Sequence, residues 1–115
     1  MKMDDMILIS VDDHVVEPPD AFIRHMPEKY KDRAPKVVKG DRGEDTWLIE
    51  DLEFPSIALN AVVGRPYEEY GMEPTAFEQL RPGTYELKSR IDDMNVNGVL
   101  AGLNFPSVPG LSLIH

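Results

Sequence analysis

The apolar positions of this chain fall into two continuous runs and one helical stripe, and these three features predict the frame of the fold. Ile7-Leu8-Ile9-Ser10-Val11 near the start and Val99-Leu100-Ala101-Gly102-Leu103-Asn104-Phe105 near the end read as buried strands. Parallel strands covered on both faces are near-continuous apolar segments of this kind. The first strand is expected over residues 6–11, and Pro106 ends the second. Between them Leu87, Ile91 and Met94 recur at i, i+4 and i+7, the spacing of one helix face. Thr84 is the expected N-cap, Glu86 and Arg90 an i,i+4 ion pair, and Asn97-Gly98 a left-handed stop. Strand, helix and strand follow in βαβ order. Residues 7–11 and 99–104 should therefore be adjacent parallel strands, with the helix near 85–96 packed on one face in a right-handed crossover.

The middle of the chain follows other rhythms. Pro18 and Pro19 interrupt strand pairing, and Asp20 is placed to cap a short helix over Ala21–Met26 with Phe22 and Ile23 turned inward. Pro27 ends it and opens a turn through Glu28–Lys31. Residues 35–39 and Thr46–Glu50 make a hairpin around the turn Gly40-Asp41-Arg42-Gly43, with Trp47 as its packing residue. Residues 52–59 add an extended piece broken at Pro55. Residues 64–83 show no clear periodicity and read as a long surface loop with at most one helical turn near 75–80. By pattern alone, this βαβ frame begins either a barrel or a doubly wound sheet.

The first apolar run ends in Asp12-Asp13-His14, followed by Val15-Val16-Glu17. Along an extended chain, residues i and i+2 share a face. Asp12 and His14 should point one way and Asp13 the other. A carboxylate and an imidazole side by side at a strand's C-terminal end make half of a divalent-metal site. The same triplet also occurs in loops where Asp caps a turn and His is solvated. Asn104 ends the second strand, where barrel enzymes place site residues; its other reading is a strand-ending turn residue. Glu17 is either a substrate contact near the mouth or a local loop residue. His25 reads as exposed. Arg65, Tyr67 and Tyr70 lie in the long loop within reach of a substrate carboxylate, though no spacing demands that role.

Composition narrows the picture. The 115 residues carry a formal net charge of −9, which argues against nucleic-acid or anionic-membrane partners. The basic run Lys29, Lys31, Arg33, Lys36, Lys39 is interleaved with acids and prolines and reads as a solvated face. There are no cysteines, so neither disulfides nor thiolate chemistry arise. An apolar fraction of 42% can supply a core, while 8 glycines and 10 prolines point to a loop-rich chain. No apolar run approaches the roughly 18 residues of a membrane span. Met1-Lys2-Met3-Asp4-Asp5 lacks the charge of a secretory signal, and a cytoplasmic location is the default expectation.

The segment from Ile9 to Pro19 resembles the opening of the amidohydrolase-related family that includes aminocarboxymuconate-semialdehyde decarboxylase. Three further stretches carry the resemblance: residues 26–35, Arg81-Pro82-Gly83-Thr84-Tyr85, and Arg90-Ile91-Asp92-Asp93-Met94-Asn95-Val96-Asn97-Gly98-Val99. The resemblance implies an α/β fold, the N-terminal part of a (β/α)8 barrel. A long loop and hairpin insertion, about 18–83, would separate the first strand from the first barrel helix. A complete barrel takes about 250 residues, so residues 1–115 would be a partial domain, and the apolar ending Gly110-Leu111-Ser112-Leu113-Ile114-His115 reads as a truncation.

In such enzymes the first barrel strand carries an acidic-or-His, x, His pair that binds a metal, a role that falls here on Asp12 and His14. Some relatives have a second histidine where this sequence has Val16, which makes Asp12 the necessary partner of His14. The implied cofactor is one divalent ion, zinc or manganese, completed by a later His and Asp. Beyond His14 only His25 and His115 exist, so the chain alone is expected to be inactive. The implied activity is hydrolysis or decarboxylation of a small carboxylated or cyclic molecule, in a parent that can be a homo-oligomer. The rival is a non-enzymatic, acidic α/β module that binds a partner through its loops.

Overall fold

The computed structural model describes residues 2, 5–55, 57, 62, 64–70 and 76–107. The chain divides into two compact units, one made of residues 1–16 with 82–115 and the other of residues 17–81. The apolar ending at 110–115 and His115 lie outside the described residues.

The first unit is a strand–helix–strand crossover. β1 (Leu8–Val15) pairs in parallel with β5 (Val99–Pro106), as the two apolar runs predict. α2 (Leu87–Val96) lies between them in sequence. Gly98, with φ of 68°, supplies the left-handed turn from α2 into β5. β1 runs to Val15 rather than stopping at Val11, so the acid–histidine cluster lies within the strand, with Asp13 and His14 paired to β5.

Three expectations for this unit need correction. The helix begins at Leu87 with Glu86 ahead of it, whereas Thr84 belongs to a short 3₁₀ turn, Pro82–Thr84, whose carbonyl accepts the Val16 N–H at 2.9 Å. Pro82 at the head of that turn absorbs the first bend of the chain and moves the helix start downstream. Glu86 does not hold Arg90; its carboxylate accepts the Ser89 hydroxyl, and Arg90 turns toward the sheet. Nor does the Leu87–Ile91 stripe pack on the strands: Leu87 is 74% exposed and Ile91 47%. Leu8, Ile9, Val11, Leu100 and Leu103 are exposed as well, so neither strand is buried in this chain.

A two-stranded sheet with open edges and uncovered apolar side chains invites pairing with other chains. Expressed by itself, this 115-residue chain should self-associate and expose dye-binding apolar surface. Sedimentation velocity checks this, and a monodisperse monomer with a sharp cooperative melt would contradict it.

Among the described residues, the second unit holds most of the buried ones. α1 (Ala21–His25) is stopped by Pro27, and a 3₁₀ segment follows over Glu28–Arg33. Asp20 precedes α1 without a side-chain cap bond; its carboxylate pairs with Arg24 one turn on, and Ile23 faces outward rather than in. β2 (Lys36–Lys39), β3 (Asp45–Ile49) and β4 (Leu52–Pro55) form an antiparallel sheet in that order. Trp47 is the largest fully buried side chain, packed edge-on against Phe22 at 5.3 Å. Ala34, Ile57, Phe77 and Leu80 are buried with it.

Glu50, at the tight turn into β4, takes a φ of 54°, and Arg33 holds its carboxylate. The loop beyond residue 64 is more structured than its pattern predicts, with 3₁₀ turns at Tyr67–Glu69 and Phe77–Gln79. The Phe77 amide donates to the buried Asp45 carboxylate at 2.8 Å, which also binds Lys39 at 2.9 Å. Asp45 chiefly, with Glu78 beside it, raises the Lys39 pKa above its ordinary value.

Candidate metal centre

The site begins with an irregularity in the β1–β5 ladder. Ser10 lies level with Gly102 and Asp13 with Asn104, so Val11 and Asp12 on one strand stand against Leu103 alone on the other. The extra residue is a β-bulge, which re-aims the side chains that follow it. Gly102 and Asn104, two apart, share the face that meets Arg90; through the register Ser10 and Asp13 lie on that same face. Unbroken alternation from Ser10 would have turned Asp12 and His14 toward the helix. The bulge turns Asp13 there instead.

Asp12 and His14 thus share the other face. The Asp12 carboxylate lies 3.5 Å from His14 Nε2, and the two side chains are 83% and 69% exposed. The His14 ring stands 5.8 Å from the Phe105 ring of β5. Two donors held about 2.0–2.1 Å from a tetrahedral zinc ion sit about 3.3 Å apart, so the observed pair fits two positions on one ion. Among the described residues no group of three acidic, histidine or cysteine side chains assembles around a common point. The described residues thus bring together two groups of the kind that ligate a divalent ion, one fewer than the three protein ligands a catalytic zinc ordinarily takes.

Asp13 serves the opposite face. Its Oδ2 lies 2.6 Å from Arg90 Nη2, and its Oδ1 accepts the His14 N–H at 3.1 Å. Arg90 also donates to Asn104 Oδ1 at 2.7 Å and to the Gly83 carbonyl at 3.2 Å. With Arg90 only 17% exposed, this ion pair is shielded well beyond a surface pair, which is worth about 0–1 kcal/mol. Gly102 suits this crowding, since a Cβ there would come within 3.0 Å of the Asp13 carboxylate.

The other sequence candidates fall elsewhere. Asn104 has its carboxamide engaged by Arg90 and by the Gly102 carbonyl, to which its Nδ2 donates at 3.1 Å. Glu17 is half-buried and opens the 17–81 unit. Arg65 donates to the Gln79 carbonyl at 2.7 Å, and Tyr67 and Tyr70 lie against each other at 5.4 Å. His25 is exposed at the end of α1. The Arg90 cluster escaped the sequence reading, although a signal existed. Arg90 lies three residues after Leu87 and four before Met94, a charge beside the apolar stripe that calls for an acid on the strand.

No protein-family model matches the chain, and no curated protein matches it. Among solved structures it is similar to an amidohydrolase of Mycobacterium avium subsp. paratuberculosis K-10, with a TM-score of 0.58 and 20% sequence identity. The chain shares its fold with part of an amidohydrolase. The match covers 90% of this chain and 31% of that one, so this chain spans less than a third of the similar structure. Among the described residues no helix is long and apolar enough to cross a membrane.

Proposed function

We propose that this chain is part of a metal-dependent enzyme of amidohydrolase type, in which Asp12 and His14 supply two ligands to one divalent ion, zinc or manganese. The observation that carries the reading is the 3.5 Å approach of the Asp12 carboxylate to His14 Nε2 at the C-terminal end of a parallel strand. Ends of parallel strands are where barrel enzymes place their chemistry. The fold likeness to an amidohydrolase supports the same origin, and the exposed apolar side chains of β1, β5 and α2 are those that further strands and helices of a barrel would cover.

A divalent ion supplies Lewis acidity toward an oxygen of the substrate. The protein's own part is to hold the Asp12 carboxylate and the His14 imidazole side by side, 3.5 Å apart, toward that ion. The substrate class is a small carboxylated or cyclic molecule, and the reaction hydrolysis or decarboxylation. We assign Asn104 to holding Arg90 in preference to substrate, because its amide is already engaged from that side. Glu17 keeps its two readings, a substrate contact or a local loop residue.

The test is metal retention by the whole protein, followed by assay of carboxylated and cyclic substrates for carbon dioxide release or hydrolytic product. Stoichiometric zinc or manganese, with activity lost to a chelator and restored by the ion, is the expected result. A protein that retains no divalent ion would favour the acidic binding module.

A further inference from the structure

We propose that Arg90 is the positioning residue of the Asp12–His14 pair: its guanidinium joins Asp13 on β1, Asn104 on β5 and the Gly83 carbonyl ahead of α2. The inference rests on the metal reading above and adds to it the part that sets the geometry of the pair.

The two candidate ligands project from strand backbone at a bulge, where the ladder is locally broken. Their directions follow from the backbone of residues 12–14, and that backbone needs a hold other than regular pairing. Arg90 provides one through a short chain of bonds. Its Nη2 meets Asp13 Oδ2 at 2.6 Å, and Asp13 Oδ1 in turn receives the His14 N–H at 3.1 Å. The guanidinium is thus two bonds removed from the main chain of a candidate ligand.

The same nitrogen reaches Asn104 at 2.7 Å, next to Phe105, whose ring lies by the His14 ring. Farther along the strand, Val16 N donates to the Thr84 carbonyl and the Ser107 hydroxyl to the Val15 carbonyl, so the exit of β1 is pinned after the pair as well. A planar fork with several donors can span these partners at once, and a lysine ammonium cannot. Arg90 touches neither Asp12 nor His14 in any bond observed; it acts through Asp13 and Asn104.

The experiment uses the whole protein with cobalt(II) as a spectroscopic probe of the divalent site. Wild type, His14→Ala, Arg90→Gln, Arg90→Lys and Asn104→Ala are compared with Arg24→Gln, which loses only an exposed pair in the other unit. Partners that orient metal ligands typically contribute about 10–100-fold in metal affinity. Arg90→Gln should weaken cobalt binding by about that factor and shift its visible absorption bands. Arg90→Lys should recover little of the loss, and Arg24→Gln should match wild type.

A folded Arg90→Gln with wild-type affinity and spectrum overturns the proposal. If that variant does not fold, a folded Arg90→Lys or Asn104→Ala with unchanged affinity and spectrum overturns it equally. If none of the three folds, Arg90 is a stability residue and the positioning role falls. Equal cobalt binding by wild type and His14→Ala is a different result: it removes the metal reading itself, and the proposal with it.

Discussion

His14→Ala should strip the divalent ion from the whole protein and abolish turnover, while leaving the fold intact. The side chain is 69% exposed, so its removal opens no cavity, and its ring neighbour Phe105 stays on β5. The expected loss is chemical. A catalytic zinc holds about three protein ligands, and deleting one removes a direct bond. Loss of an outer partner alone typically costs about 10–100-fold in affinity, so loss of a ligand should cost at least that. Asp12→Asn is the subtler variant: it keeps the shape and one oxygen donor but removes the negative charge that favours a divalent ion. It should bind more weakly than wild type and retain more metal than His14→Ala. Metal content after dialysis and thermal melting of the metal-free proteins separate the two effects. If both variants keep full metal and normal turnover, the pair is structural and the site lies elsewhere.

Trp47→Ala should be the most damaging single change to the 17–81 unit. Its side chain is 1% exposed and packs edge-on against Phe22 in the only unit with several buried apolar side chains among the described residues. Large-to-small changes of a buried aromatic cost about 3–5 kcal/mol, transfer and cavity terms together. Domains have only about 5–15 kcal/mol in total, so the variant should lose the cooperative unfolding of this unit. Trp47→Phe should be much milder. It keeps an aromatic ring against Phe22 and removes an indole N–H that finds no acceptor among the described residues. Urea unfolding followed by far-ultraviolet circular dichroism checks both, and equal losses for Ala and Phe would contradict the packing account.

The frame of the fold was legible because it depends on local pattern. Two apolar runs flanking a helix with a Gly98 stop gave the parallel β1–β5 pairing, and the Gly40–Gly43 turn gave the β2–β3 hairpin. The facing of α2 was not legible in this way. Leu87 and Ile91 mark an apolar stripe, but periodicity cannot say what covers it, and here a single shielded arginine beside that stripe meets the sheet.

The candidate site shows the same division. The grouping of Asp12 with His14 follows from i, i+2 spacing. The bulge at Asp12 does not, because it arises from the register of β1 against β5, a long-range relation absent from the run itself. Asp13 was legible only as pointing away from Asp12 and His14, and its partner lies on a helix many residues away. The 3₁₀ turn at Phe77–Gln79 falls where a helical turn near 75–80 was expected, whereas those at Tyr67–Glu69 and Pro82–Thr84 were hidden by neighbouring prolines and glycines, whose local signal is that of loop.

Manganese(II) titration of the isotopically labelled protein, followed by amide and imidazole resonances, tests the central claim most directly. Paramagnetic broadening falls off steeply with distance and needs no knowledge of the substrate. The account predicts that sub-stoichiometric manganese first broadens the signals of Asp12 and His14, with Phe105 next, and that His14→Ala abolishes this selectivity. Broadening spread over the acidic surface, such as Glu68 and Glu69, with Asp12 and His14 unaffected, would contradict it.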